Sequence, residues 1–229
     1  MFNRKQALGL DDQHVVDVAL GDTASFKIHR DLVGPLGAMR QAAQKEGFDL
    51  AVASGYRSFD RQCAIWNAKA NGERPVLDKN ENPLDIDALD AADLLKAILH
   101  WSALPGGSRH HWGTDFDIYD AGALKEGQAL ALTIAETQTV FSAFYDWLSE
   151  YLAGQSVFVR PYLRAGAIAC EPWHISYQPL AIRYERLLDE QAILAQLKCE
   201  NVSLVNIIED EFSAIYRDYI RAYFIEGSQ

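Results

Sequence analysis

The sequence predicts an α+β domain with a small, mainly antiparallel sheet and flanking helices. Three observations carry that expectation. Short apolar stretches alternate with period two, whereas longer ones keep a 3.6-residue period. The two kinds are mixed along the chain without the regular strand–helix alternation of a doubly wound sheet. No internal repeat, low-complexity tract or long linker divides the 229 residues. A single domain over 1–229 is therefore expected, with a helical C-terminal extension from about residue 180.

The elements follow in order. Residues 30–46 read as a helix ending at Gly47, with Leu32, Leu36, Met39 and Ala43 on one stripe. Leu50 to Ser54 is a short buried strand running into the turn Gly55-Tyr56-Arg57. Ser58 is placed to cap a second helix, with Asp60 in its first turn and Phe59, Cys63 and Trp66 inward. Residues 71–86 are a loop rich in Asn, Pro and charge, and Ala91 to Trp101 is helical. A Pro- and Gly-rich loop over 104–113 leads into a strand at 115–119, where Phe116 and Ile118 share one face and Asp115, Asp117 and Tyr119 the other. A helix over 137–152 is marked by Val140, Phe141, Phe144, Trp147, Leu148 and Tyr151. Strands are expected at 157–160 and 173–178. The rest is helical after Pro179, with Ile208, Phe212, Ile215 and Tyr219 on the last apolar stripe.

Composition excludes several classes of function. Hydrophobic residues at 49% and charged residues at 23% are ordinary for a globular chain. No apolar run approaches the roughly 18 residues that span a bilayer, so membrane insertion is not expected. Arg4 and Lys5 are followed by Asp11, Asp12 and Gln13 before any apolar h-region develops, so no signal peptide is read and a cytoplasmic location is expected. A net charge of -11 argues against nucleic acid or anionic lipid as partner. Cys63, Cys170 and Cys199 are odd in number, widely spaced and without a CxxC pair, which suits a reducing compartment better than a disulfide framework.

Chemistry-bearing residues fall in two compact clusters. One is Ser108-Arg109-His110-His111-Trp112-Gly113-Thr114-Asp115-Phe116-Asp117; the other is Glu171-Pro172-Trp173-His174. Zinc in hydrolases takes three nitrogen or carboxylate ligands and leaves a fourth position open. One His and one Asp of the first cluster with one His of the second make such a set. Asp117 points away from the apolar face of its strand, and His174 lies opposite the face formed by Trp173, Ile175 and Tyr177. Two neighbouring strands can thus present Asp117 and His174 to one cleft, with His110 arriving from the preceding loop. Pro172 keeps Glu171 out of helical geometry and holds it extended at the strand's mouth, suited to general-base work.

Ser108-x-His110-x-x-Gly113-x-x-x-Asp117 followed by Glu171-x-Trp173-His174 closely resembles the paired signatures of zinc D-Ala-D-Ala carboxypeptidases and dipeptidases. The vancomycin-resistance enzymes belong to this group, and the hedgehog signalling domain shares its fold. Ser54-Gly55-Tyr56-Arg57-Ser58 is similar to a turn of the same family. The resemblance implies that His110, Asp117 and His174 bind zinc, that Glu171 is the base, and that Arg57 stabilises the tetrahedral intermediate. It implies a hedgehog/DD-peptidase-like fold and a peptidoglycan-derived peptide as substrate. One position departs from the pattern: Asp115 stands where the family usually has Ala, an extra carboxylate on the metal-facing side that is expected to touch substrate preference.

Each residue also has a plainer reading. A histidine beside aromatics is usually a structural hydrogen-bonder, but here the ligand set is complete. His111 as a rival ligand would need a helix that this Gly-flanked strand does not offer, which leaves it a supporting or substrate contact. Arg57 could be a salt-bridge partner, and Ser108 could brace its loop rather than bind substrate. Tyr56, Trp112, Trp173 and Tyr177 read as core and cleft wall as readily as substrate contacts. His14, His29 and His100 carry no functional expectation. The resulting expectation is a D-Ala-D-Ala carboxypeptidase, with an L-Ala-D-Glu endopeptidase, a D-Ala-D-Ala dipeptidase and a non-catalytic zinc-bearing binding domain as alternatives.

Overall fold

Among the described residues, six strands form two antiparallel sheets. β1 (Val15–Val18) and β2 (Phe26–His29) pair alone; β3 (Leu50–Ser54), β4 (Asp115–Asp120), β5 (Phe158–Val159) and β6 (His174–Tyr177) form a second sheet in the order β3–β4–β6–β5. The structure is a computed structural model, and it describes residues 2–20, 24–125, 127–154, 157–164 and 166–225. The helices are α1 (Arg4–Ala7), α2 (Val33–Lys45), α3 (Phe59–Ala70), α4 (Ala91–Trp101), α5 (Ile134–Gln138), α6 (Ser142–Ala153), α7 (Gln178–Glu185), α8 (Glu190–Cys199), α9 (Val205–Asp210) and α10 (Phe212–Ile215).

The α+β class follows from how the second sheet divides its two faces. Phe116, Ile118, Ile175 and Leu50 pack with Leu36, Met39 and Ala43 of α2 and Phe144 and Leu148 of α6 in one apolar cluster. The other face of β4 and β6 carries Asp115, Asp117, His174 and Ser176. Slipping β4 by one residue would exchange Phe116 and Ile118 for the carboxylates, and each apolar side chain contributes about 1.5–3 kcal/mol by its burial. The pattern therefore sets the register, in which Asp117 lies directly opposite His174.

A second cluster joins Phe59 and Trp66 of α3, Leu95 and Ile98 of α4, Tyr184 of α7, Ile193 of α8, Ile208 of α9 and Phe212 of α10. The helices after residue 180 are thus knitted into the same packing as α3 and α4. Trp66 Nε1 donates to Ser203 O at 2.9 Å, and Ser203 N–H to Asn67 Oδ1 at 2.8 Å. No helix is long and apolar enough to cross a membrane among the described residues.

Several expectations need correction. The helix expected over 137–152 is broken between α5 and α6. Thr137 and Thr139 hydroxyls donate to the Ile134 and Ala135 carbonyls at 2.7 Å, and Thr139 leaves helical geometry (φ -123°, ψ -87°). Val140 is exposed in consequence rather than part of an apolar stripe. The strands expected at 157–160 and 173–178 shorten to 158–159 and 174–177. The loop 71–86 closes on itself through a bridge between Leu77 and Pro83. β1, β2 and α1 were not expected: each has four residues, too few to display a period.

Candidate active site

The site forms where the polar face of β4 and β6 meets the loop 108–112 and the turn after β3. A register shift between Val52 and Ser54 sets Ser54 opposite Asp117 and brings Gly55 over the sheet. A Cβ on Gly55 would lie 2.4 Å from the Lys27 carbonyl oxygen, so only glycine permits this approach. The Gly55 carbonyl accepts from His110 Nδ1–H at 2.8 Å, which turns Nε2 toward Asp117. Gly113 closes the loop with φ +65° against the His29 backbone.

Glu171 is not on an extended chain as Pro172 suggested. His174 N–H bonds the Glu171 carbonyl at 3.2 Å, closing a turn over Pro172 and Trp173. The fixed φ of proline suits the second position of such a turn. The turn folds the Glu171 carboxylate back to 3.6 Å from His174 Nδ1.

His110, Asp117 and His174 converge as the sequence placed them. Their donor atoms lie within 4.8 Å of one another, a group that could hold a metal ion. His174 Nδ1 is 3.2 Å from Asp117 Oδ1, and His110 Nε2 is 3.5 Å from Asp117 Oδ2. Three observations support a cation between these donors. Among the described residues, Asp117 Oδ1 and His174 Nδ1 are buried without a well-aligned hydrogen-bond partner, a condition that buried polar groups rarely tolerate. Burial and the Arg57 charge push His110 down to about 3, so its ring is neutral with Nε2 free to donate a lone pair. For His174, burial opposes the charged form, yet Asp115 and Asp117 raise it to about 9; the place that favours a proton between these carboxylates favours a cation. Two nitrogens and one carboxylate suit zinc.

The environment differentiates the remaining groups. Burial raises the Glu171 carboxyl to about 7, against the pull of His174. Arg57 is 3.7 Å from Asp117 and is steadied by Gln62 Oε1 at 3.1 Å and Ser54 Oγ at 3.3 Å. Ser108 lines the cleft with a buried hydroxyl that has no partner among the described residues. The cleft holds about 310 Å³ and is also lined by Lys69, Glu81, Trp101, Ser102 and Tyr162.

Three residues expected to contact substrate do not face this cleft. Asp115 is fully buried behind His174: it accepts from His174 Nε2–H at 3.2 Å, Arg109 Nε at 2.7 Å and Thr114 Oγ1 at 2.7 Å. It orients the His174 ring rather than facing the cleft, because both of its oxygens are already engaged. His111 is also fully buried; its Nδ1–H donates to Arg57 O at 2.7 Å, and its Nε2 accepts from Gly106 N–H at 3.0 Å. With both nitrogens used, it braces the backbone of Arg57. Tyr56 lies outside the cleft, packed edge-on against His14 at 5.8 Å, since alternate residues of the turn point opposite ways.

Residues that the sequence reading missed support the site from behind. Arg109 also bonds Glu185 of α7 at 2.7 Å and Ser176 Oγ at 2.9 Å. Tyr162 stands edge-on to the His174 ring, with centroids 4.6 Å apart. Arg109 sits within the first motif, but Glu185 and Ser176 lie on distant elements and its bond to Asp115 depends on how the loop folds, so no local spacing could have revealed it.

Three residues able to hold a metal ion, beside a buried carboxyl pushed up to about 7 and in a cleft above a small antiparallel sheet, are the equipment of a metallohydrolase. Residues 25–180 match the VanY family, described as D-alanyl-D-alanine carboxypeptidase. The chain belongs to that family, and is a zinc metallopeptidase. A Haemophilus influenzae protein described as uncharacterized is 38% identical over 96 residues, which span 42% of this chain and 66% of that relative. Among solved structures, VanYB in complex with D-alanine-D-alanine shares 21% identity, with a TM-score of 0.51 over 88% of this chain and 93% of that one. The LdcB LD-carboxypeptidase shares 23% identity, with a TM-score of 0.51 over 86% and 78%. At these identities the structural likeness concerns the fold.

Proposed function

We propose that the protein is a zinc-dependent carboxypeptidase that removes the terminal D-alanine from peptidoglycan stem peptides ending in D-Ala-D-Ala. The observation that carries this reading is the convergence of His110, Asp117 and His174, with Glu171 beside them, in a VanY-family chain. A solved relative of the same fold holds D-Ala-D-Ala, in keeping with that substrate class.

His110 Nε2, Asp117 and His174 Nδ1 are the atoms suited to hold zinc. Bound there, the metal supplies a Lewis acid for the scissile carbonyl and lowers the pKa of water. Glu171 takes the proton from the attacking water and passes it to the departing amine; a carboxyl near 7 serves both steps at neutral pH. Arg57 offers its guanidinium to the negative charge that grows on the carbonyl oxygen. His111 and Gln62 keep that guanidinium in place by bonding its backbone and its side chain.

The test is incubation of zinc-loaded protein with a panel of stem peptides, with products read by mass spectrometry. Release of one D-alanine from peptides ending in D-Ala-D-Ala is expected. Cleavage confined to peptides with a single terminal D-alanine, to free D-Ala-D-Ala or to an L-Ala-D-Glu bond would overturn the assignment. No turnover across the panel would overturn it as well.

A further inference from the structure

Three Lys and Arg side chains line the cleft, and two of them are committed. Arg109 is bonded to Asp115 and Glu185 at 2.7 Å each, and Arg57 faces Asp117 at 3.7 Å. Lys69 differs. It is half-buried and turned into the cleft, where its Nζ donates to Ser102 Oγ at 2.6 Å. It forms no ion pair with a carboxylate among the described residues. The chain has 32 acidic residues against 21 Lys and Arg, so acidic partners are plentiful elsewhere. Glu81 lines the same cleft but accepts from Ile134 N–H at 3.0 and 3.2 Å instead.

A lysine in the last turn of a helix suits the helix dipole from an exposed position. That role needs no burial and no serine brace. Lys69 also shares a face of α3 with Gln62, seven residues or about two turns earlier. Gln62 bonds Arg57 at 3.1 Å and the Ala103 carbonyl at 2.7 Å, so one helix wall carries both Arg57, through Gln62, and Lys69. In a carboxypeptidase substrate, the scissile carbonyl and the terminal carboxylate are one residue apart, about 3.8 Å along the chain. The group that reads the carboxylate must therefore share a cleft with the group that serves the carbonyl.

We propose that Lys69, held by Ser102, recognises the free C-terminal carboxylate of the peptide substrate. The inference rests on the carboxypeptidase reading above. Burial, with Arg74 and Arg57 adding to it, pushes the Lys69 ammonium down to about 8, and a bound carboxylate offsets that loss.

The experiment compares zinc-loaded parent, Lys69→Met, Lys69→Arg and Ser102→Ala on a peptide ending in D-Ala-D-Ala and on its C-terminal amide. The parent is expected to prefer the free acid. Lys69→Met should raise KM for the acid by at least about tenfold and collapse the acid-over-amide preference, with kcat changing less. Lys69→Arg should restore part of the preference, and Ser102→Ala should weaken it. Zinc content and melting temperature identify variants that fail to fold; if Lys69→Met is one of them, the Lys69→Arg and Ser102→Ala results decide. Turnover of neither peptide by the parent overturns the carboxypeptidase reading, and this inference with it. Equal turnover of acid and amide by the parent, or parental preference in folded variants, overturns the role of Lys69 alone.

Discussion

Glu171 and Asp115 are both carboxylates near His174, and their surroundings give them opposite tasks. Glu171 lines the cleft, and burial raises it to about 7, with no hydrogen bond to its carboxylate among the described residues. Replacing it with Gln keeps shape but removes proton transfer, a contribution of about 10²- to 10⁴-fold. Turnover should fall at least about a hundredfold while zinc content holds, as steady-state rates and elemental analysis would show. Near-parental turnover in a folded, zinc-loaded variant would remove Glu171 from the mechanism. Asp115 is instead bonded by Arg109, Thr114 and His174. Asp115→Ala should lower zinc affinity about 10- to 100-fold, measured by chelator competition, with substrate preference unchanged. An altered preference at unchanged affinity would restore the substrate role that the sequence implied. The alternation of β4 was enough to put Asp115 on the metal-facing side. Its occupancy by Arg109 was not legible, because that bond depends on how the loop folds.

At the scale of elements, short connections do most to aim the side chains. The Glu171–His174 turn, the shift in β3 and the loop 109–112 each redirect one or two functional groups. The start of the 30–45 segment is set by His29, whose Nδ1 accepts from Asp31 N–H at 3.1 Å. That bond requires a neutral ring, and burial, with His14 close by, pushes His29 down to about 4. Above pH 6.5 both folded and unfolded chains hold this histidine neutral. Between 6.5 and about 4 only the unfolded chain binds the proton, so stability falls as pH falls through that window. His29→Asn retains a side chain that can cap the segment and should make the fall of melting temperature between pH 6.5 and 4 less steep. A profile as steep as the parent's would show that the other buried histidines, His110, His111 and His14, carry the acid sensitivity.

Across the whole molecule, one buried chain of charge links the C-terminal helices to the metal donors. It runs from Glu185 of α7 through Arg109 and Asp115 to His174, and Glu185 also accepts from Ile225 N–H at 2.9 Å. Removing one member of a buried ionic group leaves uncompensated charge, a loss of about 3 kcal/mol. Glu185→Ala should lower stability by that order in denaturant unfolding and weaken zinc binding, although Glu185 does not touch the donors itself. A variant that lost stability but bound zinc as the parent does would confine Glu185 to packing. The helices after residue 180 thus support the site electrostatically as well as through shared apolar packing with α3 and α4.

The sequence by itself determined which side of β4 and β6 carries chemistry, because strand alternation and the burial of Phe116, Ile118 and Ile175 leave Asp117 and His174 one common face. It also determined the donor types and their order along the chain. Tertiary structure alone decided which polar residues stay open to the cleft. His111 and Asp115 look as available as His110 and Asp117 when read in line, yet both are consumed by bonds to Gly106, Arg57 and Arg109. Lys69 and Glu185 lie outside every motif, and their place at the site comes from the packing of α3 and α7. Periodicity reports on faces, which are local. Hydrogen-bond partners are chosen among residues that only the folded chain brings together.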